Sequence, residues 1–297
     1  MTRAAVTVVV PATSANLGPG FDALGLALGL YDEVTVRVLD QPGVSVEVTG
    51  EGADVLARDE THLVVRAVRE TFARIDAPLR GLAVRCANAI PQGRGLGSSA
   101  AAIVAGVLAA AALSDDGERL DRAGLLAAAS EMEGHPDNVA ACLLGGFTIA
   151  WTDAGGAHAV RLEPSPGIAA MVFVPPDGLS TVAARNLLPE TVPHRDAAHA
   201  AGRAALAVEA LTRRPDLLLA ATEDRLHQPY RAPAMPATSA LVERLRAAGA
   251  AAVVSGAGPS VLALLPGEHP ELAGLAEPGW AVVGLALDLV GARIVEP

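Results

Sequence analysis

Short stretches of apolar residues, or of alternating apolar and polar residues, predict most of the strands in this chain. They lie at 4–10, 34–38, 44–48, 82–90, 145–151, 169–174, 251–254, 261–265, 281–287 and 292–295, and Pro11 is expected to end the first. Helical spacing of apolar residues predicts helices at 61–75, 121–133, 196–211 and 238–248, with Thr61 as the first N-cap, and Ser98 opens a long Ala-rich helix. Because helices and strands alternate without regular βαβ spacing, the pattern predicts an α+β fold.

Turn-forming residues divide this pattern into two halves. Turns at 153–156 and 164–167 mark the change. We therefore predict an N-terminal domain at 1–163 and a C-terminal domain at 164–297. A chain of 297 residues, 51% of them hydrophobic, is long enough for one large or two medium domains.

Charge and composition exclude several classes of protein. The formal net charge is −11, and no basic run could follow a nucleic-acid backbone. Cys86 and Cys142 lack the spacing of a metal site or a redox pair, so we expect buried free thiols. With no signal peptide and no convincing membrane span in the sequence, we expect a cytoplasmic protein that binds neither membrane nor nucleic acid.

The segment 91–101 carries the strongest chemical signal. Its sequence is Pro-Gln-Gly-Arg-Gly-Leu-Gly-Ser-Ser-Ala-Ala, so three glycines at alternate positions lead into the start of a helix. Free N–H groups and the positive end of the helix dipole make such a place an anion site, suited to a polyphosphate. Ser98 and Ser99 add hydroxyls for a phosphate oxygen or Mg²⁺. The sequence is neither a Walker A loop nor a dinucleotide fingerprint, and a plain strand-to-helix turn is the alternative interpretation.

Two further segments combine small and polar residues. The segment 255–260, Ser-Gly-Ala-Gly-Pro-Ser, lies between two apolar runs and suits either a hairpin turn or a loop close to a phosphate. The segment 11–22 holds Asn16 and Asp22 in an irregular loop after the first strand. Turn formation explains Asn16 at little cost, whereas contact with a ligand explains why so many small polar residues gather there.

In this order and at these separations, the three segments resemble the three motifs of the GHMP kinases, and the resemblance covers most of the chain. The signature Pro-x-x-x-Gly-Leu-Gly-Ser-Ser-Ala at 91–100 is specific to that superfamily. Other features look like the homoserine kinases within it: Asn16, Gly18, Gly20, Asp22, Glu131, the stretches 134–138, 145–147 and 188–189, Thr181, Arg185 and the stretch 224–231.

The resemblance implies a fold and an activity. The N-terminal part would be a ribosomal-protein-like α/β domain with a left-handed β-α-β unit, the C-terminal part would be ferredoxin-like, and the active site would lie between them. The activity would be phosphorylation of the side-chain hydroxyl of L-homoserine by Mg²⁺-ATP, a step in threonine biosynthesis. The nucleotide would be bound by Pro91, Gly93, Arg94, Gly95, Leu96, Gly97, Ser98, Ser99, Ala100 and Ala101. The sequence leaves the oligomeric state open, with a homodimer as one option.

Homoserine carries an ammonium, a carboxylate and a hydroxyl, so its pocket needs groups of both charges. Asn16 and Asp22 could receive the ammonium, and Arg185 and Arg231 could hold the carboxylate, although an arginine is more often a solvated surface charge. The resemblance adds Thr181 and Asn138 to this pocket. It also implies that Ser99 and Glu131 hold Mg²⁺ and that Glu131, Asn138 and Ser99 form the catalytic group.

One position departs from the pattern of the wider superfamily. Several sister kinases carry an aspartate, thought to deprotonate the alcohol, where this chain has Asn138. Because an amide cannot act as a base, we expect catalysis by positioning and electrostatic stabilisation, with the proton passing to phosphate or water.

Two alternatives stay open from the sequence. The first is another GHMP kinase, acting on mevalonate, a sugar or a polyol. Mevalonate has no ammonium, which would leave Asn16 and Asp22 unexplained, and the cationic residue that some sister kinases place in the first motif is absent. The second is a non-catalytic ligand-binding protein on the same fold, against which the intact 95–99 segment and Glu131 argue.

Overall fold

Two β-sheets with helices packed on them form the fold in a computed structural model, which describes residues 5–267 and 269–295. The first sheet has the order β11-β1-β2-β4-β3, with β5 pairing β2 and β6 pairing β5, and the second has the order β10-β7-β9-β8. The strands are β1 Ala5–Ala15, β2 Leu24–Leu39, β3 Gly43–Gly50, β4 Gly81–Asn88, β5 Phe147–Asp153, β6 Gly156–Leu162, β7 Ile168–Val174, β8 Ala251–Val254, β9 Val261–Pro266, β10 Ala281–Leu285 and β11 Arg293–Val295.

Nine α-helices lie in the described residues and pack on the sheets. They are α1 Leu63–Arg74, α2 Ser98–Leu113, α3 Arg122–Glu133, α4 Pro136–Leu144, α5 Thr181–Arg185, α6 His194–Thr212, α7 Leu218–Ala221, α8 Gln228–Arg231 and α9 Pro236–Ala247. The strands β3 and β4 are parallel and are joined through α1, which makes a β-α-β unit. None of the helices in the described residues is both long and apolar enough to cross a membrane.

Two clusters of apolar side chains hold the sheets and helices together. The larger one joins the first sheet and α1–α4 to one face of the second sheet, and the smaller one lies between α9 and the opposite face. Both faces of the second sheet are therefore packed, because alternate residues of a strand point to opposite sides. The predicted domain division at residue 163 falls between β6 and β7. The division stays a prediction. The first sheet also contains β11, from the far end of the chain, which pairs with β1.

Two local predictions from the sequence are wrong and one strand was missed, each for a physical reason. Pro11 does not end β1, because the register shifts at that position and a bulge tolerates the missing N–H. Thr61 does not cap α1, because both its N–H and its hydroxyl are bonded to Asp59 Oδ1 and the helix begins at Leu63. The strand β6 was not predicted, because its residues are only partly buried and show no clear alternation.

Both cysteines are buried free thiols, as predicted. Cys86 lies on β4 and Cys142 on α4. Burial raises the pKa of the Cys86 thiol to about 12, so it behaves as a small apolar residue.

Two helical glycines provide a matched test of how closely α1 and α2 pack. A Cβ on Gly106 of α2 would lie 2.5 Å from Ala67 Cβ and 2.9 Å from Val64 O in α1, whereas one on Gly202 of α6 would meet none of the described atoms within 4 Å. We expect Gly106→Ala to lower the free energy of unfolding by about 1–3 kcal/mol and Gly202→Ala to raise it by about 0.5–1 kcal/mol. Urea unfolding measures both, and equal stabilisation of the two variants would contradict the close packing.

Candidate active site

Three loops from distant parts of the chain meet at one cleft between the two sheets. We name them the first loop (16–23), the glycine loop (89–97) and the third loop (255–260). The cleft has a volume of about 400 Å³, and its walls also include the starts of α4 and α5, the end of α8 and the start of α1. As predicted from the sequence, this single space is lined by residues of the first two loops and by Ser99, Asn138, Thr181, Arg185 and Arg231.

The glycine loop turns in a way that only glycine adopts easily. Gly93, Gly95 and Gly97 have φ of 62°, 73° and 72°, in the left-handed region that L side chains rarely adopt. Gly97 is the N-cap of α2, so the first N–H groups of that helix point out of its end. This end of the cleft is suited to an anion, because the positive end of the helix dipole lies behind it.

The third loop packs against the glycine loop with no space for a side chain. A Cβ on Gly95 would lie 2.2 Å from Ser255 O, and one on Gly97 would lie 1.9 Å from Thr13 Oγ1. Ser255 Oγ donates to Gly95 O at 2.7 Å, and Ser260 N donates to Arg94 O at 3.3 Å. Gly95 is therefore required by the contact between the two loops, and Gly97 by the contact with Thr13 of β1, whether or not a ligand is present.

The first loop is tied to the same hairpin. Asn16 Nδ2 donates to Gly256 O at 2.8 Å, and Gly256 N donates to Ala15 O at 3.2 Å. Asn16 Oδ1 accepts from Asp22 N at 2.9 Å, so the buried Asn16 amide shapes the loop that presents Asp22. Both residues have positive φ, of 68° and 56°, which this network must hold in place.

Not every residue predicted to bind the nucleotide faces the cleft. The side chains of Ala100 and Ala101 are fully buried in the core, and Pro91 is absent from the cleft wall. The Arg94 guanidinium is bonded to the carbonyls of Gln92, Pro175 and Pro176, so it ties the glycine loop to the segment before α5. Arg94 nonetheless lines the cleft, as do the remaining members, Gly93, Gly95, Leu96, Gly97, Ser98 and Ser99.

The magnesium pair expected from the sequence was Ser99 and Glu131, but the structure brings Glu133, and not Glu131, beside Ser99. Ser99 Oγ donates to Glu133 Oε1 at 2.6 Å, whereas Glu131 pairs with Arg74 on the outside of α3 and is exposed. Residues two positions apart on a helix point in directions that differ by about 200°, so Glu131 and Glu133 cannot both point at α2. Burial raises the pKa of Glu133, and the hydrogen bond from Ser99 opposes that shift.

Opposite charges face each other at the other end of the cleft. Arg185 donates to both oxygens of Asp22, with Nη1 to Oδ2 and Nη2 to Oδ1 at 2.9 Å each. The guanidinium carbons of Arg185 and Arg231 both lie 5.5 Å from the centre of the Phe21 ring. Arg231 is only 2% exposed, which is unusual for an arginine. The described structure thus places two guanidiniums and one carboxylate side by side.

Between the two ends lies the start of α4. Asn138 Oδ1 accepts a hydrogen bond from Thr13 Oγ1 at 2.8 Å, so Nδ2 is the group that the amide can offer to a ligand. Asp137 Oδ1 accepts from Asn138 N at 2.7 Å and lies 2.8 Å from His135 Nδ1. This contact with Asp137 raises the pKa of His135. Asp137 is itself almost fully buried.

Comparison with known proteins identifies the family to which this chain belongs. The family model for the GHMP kinases N terminal domain matches residues 62–146, and that for the GHMP kinases C terminal matches residues 197–276. Homoserine kinase from Streptomyces coelicolor is 61% identical over 294 residues, which cover 98% of this chain and 95% of that protein. The chain belongs to the homoserine kinases of the GHMP superfamily.

Solved structures agree with this membership. Homoserine kinase from Cytophaga hutchinsonii is similar with a TM-score of 0.86 and 28% identity, covering 99% of this chain and 98% of that one. L. major mevalonate kinase in complex with R-mevalonate has a TM-score of 0.70 at 16% identity, covering 98% of this chain and 100% of that one, which shows a shared fold alone. The predicted GHMP kinase fold is confirmed.

The sequence held a signal for Glu133 that its motif did not reveal. Leu126 and Ala129 lie on the buried stripe of α3, and Glu133 follows them at seven and four positions. Glu131 falls outside that stripe. Helical phase, applied to the two glutamates, favours Glu133 as the one on the same side of α3 as Leu126 and Ala129. Thr13 and Phe21 offered no such signal, because their contacts depend on the convergence of distant loops.

The contact between loops can be tested by comparing two glycines of similar φ. A Cβ on Gly93 would meet no described atom within 4 Å, whereas one on Gly95 would collide with the third loop. An alanine at either position costs about 1–2 kcal/mol for its left-handed backbone, and we expect Gly95→Ala to cost about 1–3 kcal/mol more. Thermal and urea unfolding measure the difference. If both variants lose the same stability, the third loop does not require Gly95.

Proposed function

We propose that this protein transfers the γ-phosphoryl group of ATP to the side-chain hydroxyl of L-homoserine, forming O-phospho-L-homoserine and ADP for threonine biosynthesis. The observation that carries the proposal is the arrangement of Arg185, Arg231 and Asp22 at one end of a cleft whose other end is a helix-terminal anion site. An amino acid zwitterion matches the first end, and a polyphosphate matches the second. We also propose a cytoplasmic location, where ATP and free amino acids are available.

The nucleotide fits the half of the cleft that the glycine loop borders. Its phosphates would lie against the N–H groups at the start of α2. Its base would enter the part of the cleft that is lined by Leu56, Leu63, Val64 and His62. His62 is 5% exposed, and its Nδ1 has no hydrogen-bond partner among the described residues. A buried polar atom beside an apolar surface suits recognition of a heterocyclic base.

Ser99 and Glu133 fit a magnesium ion. Their side-chain oxygens are already in contact at 2.6 Å. A hard cation of this kind takes one or two protein oxygens and completes its shell with phosphate and water. We propose that these two residues hold Mg²⁺, in place of the pair of Ser99 and Glu131. When bound, the ion would neutralise charge on the phosphates.

Homoserine would occupy the charged end of the cleft. We propose that its carboxylate pairs with the guanidiniums of Arg231 and Arg185 and that its ammonium faces Asp22. In the free cleft Asp22 and Arg185 satisfy each other through a bidentate ion pair, so a zwitterion can exchange those partners without leaving a charge unpaired. Asn138 Nδ2 and the Thr181 hydroxyl would complete the pocket beside the reacting hydroxyl.

The transfer requires that the homoserine hydroxyl oxygen form a bond to Pγ while the bond from Pγ to the bridging β,γ-oxygen breaks and ADP leaves. No base is required of Asn138, and the Asp137 carboxylate is engaged by His135 and by Asn138 N. We propose that the proton passes to the transferred phosphate or to water. A loose transition state develops little need for a base, so positioning and charge stabilisation provide the acceleration.

The substrate assignment can be tested with an analogue that lacks the carboxylate. We expect the purified protein with Mg²⁺-ATP to phosphorylate L-homoserine and to act poorly on 3-aminopropan-1-ol. Arg231→Ala should lower kcat/KM for homoserine by roughly 30-fold to several thousand-fold, since loss of a desolvated charge partner costs about 2–5 kcal/mol. The same variant should change kcat/KM for the analogue little. Turnover of mevalonate or a sugar, with none of homoserine, would contradict the proposal.

The magnesium assignment can be tested with a matched pair of glutamates on α3. Glu133→Gln keeps the shape of the side chain and removes its charge, so we expect at least a tenfold loss of kcat and a higher Mg²⁺ concentration at half-maximal activity. Glu131→Gln removes only an exposed pair with Arg74, worth at most about 1 kcal/mol of stability. A Mg²⁺ titration of both variants decides between them. If the curve for Glu133→Gln overlays that of Glu131→Gln, Glu133 does not hold the ion.

A further inference from the structure

We propose that His227 is a positioning residue for Arg231. It acts through its Nδ1 atom, which fixes the direction in which the Arg231 guanidinium meets the substrate carboxylate. This inference rests on the function proposed above, in which Arg231 binds that carboxylate. His227 lies outside the cleft wall and makes no contact with the space where a substrate would sit.

The contacts of His227 determine its tautomer. The residue is fully buried, with Nδ1 at 3.0 Å from Arg231 Nη1 and Nε2 at 2.9 Å from Gly18 O. A guanidinium can only donate and a carbonyl can only accept. The imidazole therefore accepts from Arg231 at Nδ1 and donates to Gly18 from Nε2, which specifies a neutral ring. Burial lowers the pKa of His227, and the nearby Arg231 charge lowers it further against the opposing effect of Asp224, in the same direction as the neutral ring that these contacts specify.

The backbone around His227 is held as firmly as the ring. The Asp224 carboxylate accepts from the N–H groups of Leu226, His227 and Gln228 at 2.8, 3.1 and 2.7 Å. The Gln228 side chain in turn accepts from Val254 N at 2.6 Å, which joins the turn to β8. This turn leads directly into α8, so His227 and Arg231 are four positions apart and face each other.

The remaining contacts of Arg231 leave one nitrogen to meet a ligand. Its Nε donates to Ala184 O at 3.2 Å, and its Nη1 meets His227 and, at 3.4 Å, Gly256 O. Nη2 is thus the nitrogen that these contacts leave for the carboxylate. Without the acceptor at Nδ1, a buried guanidinium must turn to satisfy Nη1, and Nη2 turns with it. His227 also links Arg231 to the first loop, because its Nε2 is bonded to Gly18 O and its ring lies 5.4 Å from the ring of Phe21.

Three substitutions separate positioning from packing. His227→Asn places an amide oxygen near the position of Nδ1, His227→Gln places a polar group near Nε2, and His227→Leu removes both. We expect kcat/KM for homoserine to fall about 10- to 100-fold in the Gln and Leu variants and less than fivefold in the Asn variant. The kcat/KM for 3-aminopropan-1-ol and the KM for ATP should stay within about twofold of the wild type in all three. His269→Asn, at an exposed position, serves as the control.

The outcomes distinguish this inference from the proposed function. An inactive wild type would refute the proposed function. The inference would be overturned if the wild type is active but the Asn and Gln variants lose activity equally, on homoserine and on the analogue, in proportion to their loss of melting temperature. His227 would then be a packing residue. A second readout does not use activity. Nitrogen-15 NMR of the folded wild type, with the His227 ring signals assigned through its backbone resonances, should show an unprotonated Nδ1 and a protonated Nε2. A protonated Nδ1 would overturn the inference, including in a case where the variants fail to fold.

Discussion

The contact of the third loop with the glycine loop is the constraint on which the rest of the site depends. Gly95 and Ser255 meet with no room for a Cβ between them, and the hairpin that carries Ser255 is bonded on its other side to Asn16. One hairpin from the second sheet therefore sets the distance between the anion site at α2 and the charges at Asp22. Phosphoryl transfer requires that separation to be fixed, because its catalysis depends mainly on position and charge.

Local charge differs sharply from the charge of the whole protein. The chain carries a net charge of −11, yet its cleft combines a helix N-terminus with two guanidiniums. The guanidinium carbons of Arg185 and Arg231 both lie 5.5 Å from the centre of the Phe21 ring. The bidentate pair with Asp22 neutralises Arg185 while the cleft is free. Net charge thus bears on solubility and long-range attraction, whereas short-range dipoles and ion pairs govern the binding of anionic groups.

Much of this account could be predicted from the sequence, and the failures follow a pattern. The glycine loop, the start of α2 and the residues Asp22, Arg185 and Arg231 were predicted because short motifs specify local backbone and charge. Predictions failed where a neighbour outside the motif decides the outcome. Pro11 stays in a strand because the partner strand bulges, and Glu133 rather than Glu131 contacts Ser99 because helix packing selects one face. The spacing of four positions could have placed His227 beside Arg231 on one helical face, but not the acceptor role of Nδ1, which depends on the bond of Nε2 to the distant Gly18.

The most direct test of the central claim is a crystal structure of the protein with L-homoserine and a non-hydrolysable ATP analogue. The account predicts the homoserine carboxylate against Arg231 Nη2 and Arg185, its ammonium at Asp22, and the phosphates at the start of α2, with the hydroxyl directed at the terminal phosphate. Homoserine bound elsewhere, or in a reversed orientation with its hydroxyl away from the phosphates, would contradict it.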